Sequence, residues 1–152
     1  MTAASTPPTA PSTVRDLPSW LLGRAAARGR ALVADALAEH GLKMWHHVVL
    51  SAVTDRQPVA QADLVRSVQL DPKDMVGVLN DLQAAGLVER APDPRDRRKN
   101  AVTATAAGTA LVATCARAAR AANDELLAPL GPAEREAFVD MLRRVVAPPP
   151  SA

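Results

Sequence analysis

With 152 residues, 48% hydrophobic and 22% charged side chains, the chain has the profile of one globular domain, and its 2% of aromatic residues leave Leu, Val and Ala to build a core of close-packed helices. A formal charge of +2 is too small to name a polyanionic partner, so the placement of the charges must decide. The single cysteine, Cys115, excludes an intrachain disulfide and a cysteine-rich zinc module; with no signal-peptide pattern and no apolar run of about 20 residues, a cytoplasmic protein with no membrane partner is expected.

Residues 1–14 are rich in Thr, Ser, Ala and Pro and offer little to bury, so they read as a flexible tail; residues 148–152, opening on Pro148-Pro149-Pro150, read as a second. The folded unit is then 15–147. Over 17–40, Leu17, Trp20, Leu21, Ala25, Leu32 and Leu37 recur at helical spacing, with Arg24, Arg28, Arg30, Asp35 and Glu39 between them, and Gly41 suits the left-handed stop. A second helix over 43–54 carries Trp45, Val48, Val49, Ala52 and Val53, and Pro58 marks the loop beyond it. Two short helical patterns follow, the first with Leu64, Val68 and Leu70, the second with Met75, Val78, Leu79 and Leu82.

The second short helix carries signals at both ends. Asp71 is a good N-cap, Pro72 suits the first helical position, and Asp74 sits where the helix dipole favours an anion. Gly86 fits the C′ site with Leu87 following to touch Leu82, as a Schellman motif requires. Val88–Ala91 and Ala101–Thr103 read as two strands around a turn-rich basic loop, Pro92 to Asn100. Thr105 caps a long Ala-rich helix to about residue 127, and Pro129 to Pro132 separate it from a last helix with Phe138, Met141, Leu142, Val145 and Val146 on one face.

A helix-turn-helix followed by a hairpin with a cationic tip suits duplex DNA, because a helix fits the major groove and arginines on a narrow loop enter the minor groove. The runs Leu70-Asp71-Pro72-Lys73-Asp74-Met75-Val76, Gly86-Leu87-Val88-Glu89-Arg90 and Asp93-Pro94-Arg95-Asp96-Arg97-Arg98, at this mutual spacing, resemble the MarR family of winged helix-turn-helix regulators. The fold class expected is mainly α with a small β-hairpin wing, a winged helix-turn-helix lobe over 43–103 joined to a helical dimerisation stem over 17–40 and 105–147.

The resemblance implies a homodimer with intertwined terminal helices, two lobes reading double-stranded DNA at a pseudo-palindromic operator, and no catalysis. Many members are repressors released by small aromatic acids, others respond to oxidation of a cysteine, and a few to zinc. The helices bearing Trp20, Arg24 and Trp45 border the ligand crevice in the family, so these residues are candidates for an aromatic acid effector, Arg24 as its counter-ion. Packing or interface filling is the alternative for the two tryptophans.

DNA contact is expected from Lys73, Val76, Gly77 and Asn80 on the recognition helix and from Arg95, Arg97, Arg98 and Lys99 on the wing, with Arg98 the arginine best placed to pair internally. Asn80 suits a base edge or a phosphate, Val76 a thymine methyl, and Gly77 a close approach; the alternatives are a tolerated glycine and a core-edge valine. Four positions depart from the family pattern. Gln69 replaces the turn glycine, at a strain of about 1 kcal/mol if the turn keeps positive φ; Val76 and Gly77 replace polar and basic residues; and Ala106 replaces a proline after Thr105.

His40, His46 and His47 lack the i, i+4 spacing of a helical metal pair, so neither metal nor cofactor is expected. Cys115, inside an Ala-rich helix, reads as an inert packed thiol rather than a redox switch. No phosphate-cradling glycine loop or Gly-x-Ser-x-Gly turn is present. The competing function is a dimeric winged-helix scaffold that binds a protein, a reading supported by Val76, Gly77 and Asp81.

Overall fold

The computed structural model describes residues 11–147; the tail readings for 1–10 and 148–152 fall outside that range. Six helices and three short strands follow one another as α1 (Pro18–Ala38), α2 (Met44–Arg56), β1 (Val59–Ala60), α3 (Gln61–Val68), α4 (Pro72–Ala84), β2 (Val88–Pro92), β3 (Asn100–Ala104), α5 (Ala106–Leu126) and α6 (Pro132–Val146). Residues 11–14, placed in the tail by composition, close a turn onto α1, with Val14 and Arg15 amides donating to the Pro11 carbonyl at 3.1 Å.

The helix ends follow local chemistry. Gly41 has φ 74° and the Leu42 amide donates to the Leu37 carbonyl at 3.2 Å, which closes α1. Asp71 Oδ1 accepts from the Lys73 amide at 2.8 Å at the start of α4. At its other end Gly86 has φ 70° and the Leu87 amide donates to the Leu82 carbonyl at 2.9 Å, the expected Schellman geometry. Thr105 Oγ1 accepts from the Gly108 amide at 3.1 Å to start α5. The turn between α3 and α4 keeps its left-handed residue: Gln69 sits at φ 54°, ψ 36° in place of a glycine, so the strain of roughly 1 kcal/mol is carried and not avoided by reshaping the turn.

The hairpin is part of a three-stranded antiparallel sheet of order β1-β3-β2, with Val59 opposite Val102 and Arg90 opposite Val102 on the other side. Sequence periodicity misses β1 because two residues carry no alternation to read. Leu37, Val49, Leu50, Val53, Leu64, Met75, Leu79, Leu82, Val88, Val102 and Cys115 form the buried core of the lobe, and no polar side chain is buried among the described residues. Cys115 is fully buried, and that burial raises its thiol above the ordinary pKa.

The stem is different. α1 runs along α5, yet of its 21 residues only Leu37 is buried, and α6 buries none. Leu17, Trp20, Leu21, Leu22, Met141, Val145 and Val146 stand exposed on these two helices.

One contact joins lobe and stem through main chain. A Cβ added at the buried Gly108 would penetrate the Leu87 carbonyl oxygen, an atom fixed by its bond from the Thr105 amide at 3.0 Å. Gly108→Ala is expected to lower unfolding stability by about 3 kcal/mol, since the clash is with backbone that no rotamer change relieves; denaturant melts of the two proteins measure it.

Candidate nucleic-acid interface

On α4 the helical step places Lys73, Val76, Gly77, Asn80 and Gln83 along an exposed side, opposite the buried Met75, Val78, Leu79 and Leu82. Val76 is 41% exposed, which removes the core-edge reading of this residue. Nothing lies within 4 Å of a Cβ built on Gly77, so no packing within the lobe demands a glycine there.

Two side chains hold this helix from its flanks. From α2, His46 Nε2 lies 2.9 Å from Asp81 Oδ2; the carboxylate accepts, so Nε2 carries the hydrogen. His46 Nδ1 is buried without a hydrogen-bond partner. From β2, Arg90 donates through Nε to Gln83 Oε1 at 2.6 Å and through Nη2 to Asn80 Oδ1. Arg90 and Gln83 were not singled out by sequence reasoning as interface residues, although Arg90 ends the Gly-Leu-Val-Glu-Arg run. The turn at Gly86, which folds β2 back toward α4, brings residue 90 to residues 80 and 83.

The wing tip is built by its two aspartates. Asp93 Oδ1 accepts from the Arg95 amide at 2.8 Å and Asp96 Oδ1 from the Arg98 amide at 3.1 Å, two Asx turns that fold the loop between β2 and β3. Arg98 Nε also lies 3.2 Å from Asp96 Oδ1, so Arg98 is the internally paired arginine, as expected. Among the described residues no carboxylate is within ion-pair distance of Arg95, Arg97 or Lys99, which are exposed. Arg95 also borders a polar hollow of about 590 Å³ with Arg56 and Arg66, the latter held by Asp63. These two cations beside the wing were missed by sequence reasoning, because 56 and 66 lie in separate helices with no local charge run to mark them.

The residues expected to meet an aromatic acid are dispersed over the surface. Trp20 and Trp45 are 40% and 46% exposed, Arg24 is exposed, and none of them lines the apolar hollow of about 440 Å³ where α1, α5 and α6 meet. That hollow is walled by Leu22, Val33, Met44, Leu126, Phe138 and Leu142, with Arg30 and Asn123 as its polar groups. No cluster of three potential metal ligands occurs among the described residues. No helix among them is long and apolar enough to cross a membrane.

Residues 40–99, from the end of α1 to the wing, match the family model described as MarR family. HTH-type transcriptional repressor NicR of Pseudomonas putida is 31% identical over 136 residues, 90% of this chain and 86% of NicR. The chain belongs to the MarR family. Its winged helix-turn-helix is therefore that of a DNA-binding transcriptional regulator, and the protein is not an enzyme. Among solved structures, Bordetella bronchiseptica BpsR, whose DNA binding is regulated by 6-hydroxynicotinic acid, superposes with TM-score 0.78 at 31% identity, covering 92% of this chain and 100% of BpsR. Mycobacterium tuberculosis MarR family protein Rv2887 in complex with DNA gives 0.76 at 29% identity, covering 91% and 100%. The same protein is known in complex with p-aminosalicylic acid, at TM-score 0.71, 30% identity and coverage of 86% and 98%.

Electrostatics within the lobe also sets a pH limit. Burial lowers the His47 imidazole from its ordinary 6.5, so the unfolded chain takes up this proton first as pH falls. Its contribution is unchanged above about pH 6.5 and turns against the fold as pH drops from there through the lowered folded value. Unfolding free energies measured from pH 7.5 to 5 should fall more steeply for the native sequence than for His47→Gln.

Proposed function

We propose that the protein is a homodimeric repressor that binds a pseudo-palindromic operator and is released by a small aromatic carboxylate. The observation that carries DNA reading is the alignment of an exposed α4 face with a wing whose Arg95, Arg97 and Lys99 are free of carboxylate partners. This favours an operator over a protein partner, since an apolar docking face on α4 is reduced to Val76.

Residues 17–40 and 105–147 form the dimerisation stem and 43–103 the reading lobe. The exposed apolar side chains of α1 and α6 supply the faces that a second copy covers, because water contact at Trp20, Leu21, Met141 and Val145 is unfavourable by about 25 cal/mol per Å² of apolar surface. Two lobes on one stem then meet successive major grooves, with Lys73, Val76, Gly77 and Asn80 at base edges and Arg95, Arg97, Arg98 and Lys99 at the minor groove and phosphates.

For release, the acid enters between stem and lobe, with Trp20 and Arg24 of α1 and Trp45 of α2 as its contacts, although these residues do not line the apolar hollow of the stem. It acts by favouring a lobe spacing that does not fit the operator; a ligand with equal affinity for both spacings shifts nothing. BpsR, whose DNA binding is regulated by 6-hydroxynicotinic acid, and Rv2887, known in complex with p-aminosalicylic acid, support this class of effector.

Binding to operator fragments should be steeply salt-dependent, with a log-log slope of about −5 to −9 for on the order of 6 to 10 phosphates neutralised per dimer. The double variant Arg95→Ala/Arg97→Ala should weaken all sequences alike and flatten that slope; unchanged affinity would remove the wing from the mechanism. Titration with salicylate-like acids should quench tryptophan fluorescence and lower operator affinity roughly 5- to 150-fold. If the acids do neither, the effector belongs to another class.

A further inference from the structure

Arg90 bears on how α4 reads a base, which rests on the DNA-binding reading above. A guanidinium has hydrogen-bond donors only, so the atoms that Asn80 and Gln83 turn to Arg90 are their carbonyl oxygens. The bonds run from Arg90 Nε to Gln83 Oε1 at 2.6 Å and from Nη2 to Asn80 Oδ1. With both oxygens held at the root of the wing, each amide has its NH₂ group left to meet a partner. Asn80 and Gln83 are exposed, and they share the face of α4 that carries Lys73, whose ammonium is again a donor, and the apolar Val76. This face therefore presents the amide donors and a hydrocarbon surface, with the amide oxygens turned toward Arg90.

That matters because an asparagine that recognises adenine does so bidentately, accepting from N6 with its oxygen while donating to N7 with its nitrogen. The Asn80 oxygen is turned to Arg90, and although it keeps a second lone pair, the bidentate pose on adenine requires that same oxygen to face the base edge. A donor-only amide meets complementary atoms on guanine, where N7 and O6 both accept, and on thymine, where O4 accepts; adenine N6 and cytosine N4 confront it with another donor.

We propose that Arg90 is a positioning residue that sets base preference: by holding the amide oxygens of Asn80 and Gln83 it makes α4 select guanine or thymine, and reject adenine, at the base Asn80 meets.

Selection of bound sequences from a randomised duplex pool tests this, using the full-length native protein, Asn80→Ala, Arg90→Met, Arg90→Lys and the double variant Asn80→Ala/Arg90→Met. The native protein should enrich guanine or thymine at one position of each half-site, and Asn80→Ala should lose that preference. Arg90→Met should gain adenine at the same position by about ten-fold relative to the native protein, with Arg90→Lys between the two, because one ammonium cannot hold both oxygens. In the Asn80→Ala background the Arg90→Met change should do nothing further at that position, a dependence that a merely structural arginine would not show. Should Arg90→Met fail to fold, Arg90→Lys alone carries the comparison. An unchanged preference in the Arg90 variants, or in Asn80→Ala, overturns the proposal while leaving DNA binding intact. A native protein that enriches no sequence overturns the functional reading and this proposal with it.

Discussion

The main chain of Gly86 and Leu87 is the joint on which the architecture turns. The Leu87 amide closes α4 by donating to Leu82, its carbonyl accepts from the Thr105 amide at 3.0 Å, and Thr105 Oγ1 donates to the Gly86 carbonyl at 2.7 Å. Three elements with different tasks are locked at one corner: the recognition helix, the first strand of the wing and the N-terminus of the long stem helix. The corner closes only because Gly86 tolerates φ 70° and because Gly108 has no Cβ to strike the Leu87 oxygen. The stem is thereby tied to α4 and β2 through main-chain groups at this one corner.

Lobe and stem solve different burial problems. The lobe has a dry core, with Leu50, Leu64, Met75, Leu79, Leu82 and Val102 excluded from water and Leu37 of α1 and Cys115 of α5 closing it from the stem side. The stem leaves large apolar groups exposed on α1 and α6, a distribution unfavourable for an isolated chain and complementary to a second copy. The surface meant for DNA is stiffened by polar contacts: His46 fixes Asp81, Arg90 fixes Asn80 and Gln83, and Asp93 and Asp96 shape the wing. Such exposed bonds add little to stability but limit the conformations a bound operator must select.

Much of this was legible because helix punctuation is local. Asp71, Gly86, Gly41 and Thr105 act on backbone groups within a few residues, so residue type and spacing suffice, and each is found in its expected role. The pairing of Arg98 with Asp96 was legible for the same reason, the two being two positions apart. Gln69 marks the limit of local reasoning: its side chain argues against the left-handed conformation it holds at φ 54°, and the packing of Leu64 and Leu70 on either side outweighs that preference.

The sequence by itself determined the order and ends of the helices, the wing and the family, since these follow from periodicity, caps and a run of basic residues close together in the chain. Tertiary structure alone decided which side chains meet across the fold. It adds β1 to the sheet by pairing Val59 with Val102, brings Arg90 to the amides of Asn80 and Gln83, and requires glycine at 108. It also leaves Trp20, Arg24 and Trp45 outside the apolar hollow of the stem. The physical reason is that each depends on how elements pack against one another, Arg90 across the turn at Gly86 and the others between segments remote in the chain, and no local pattern encodes that packing.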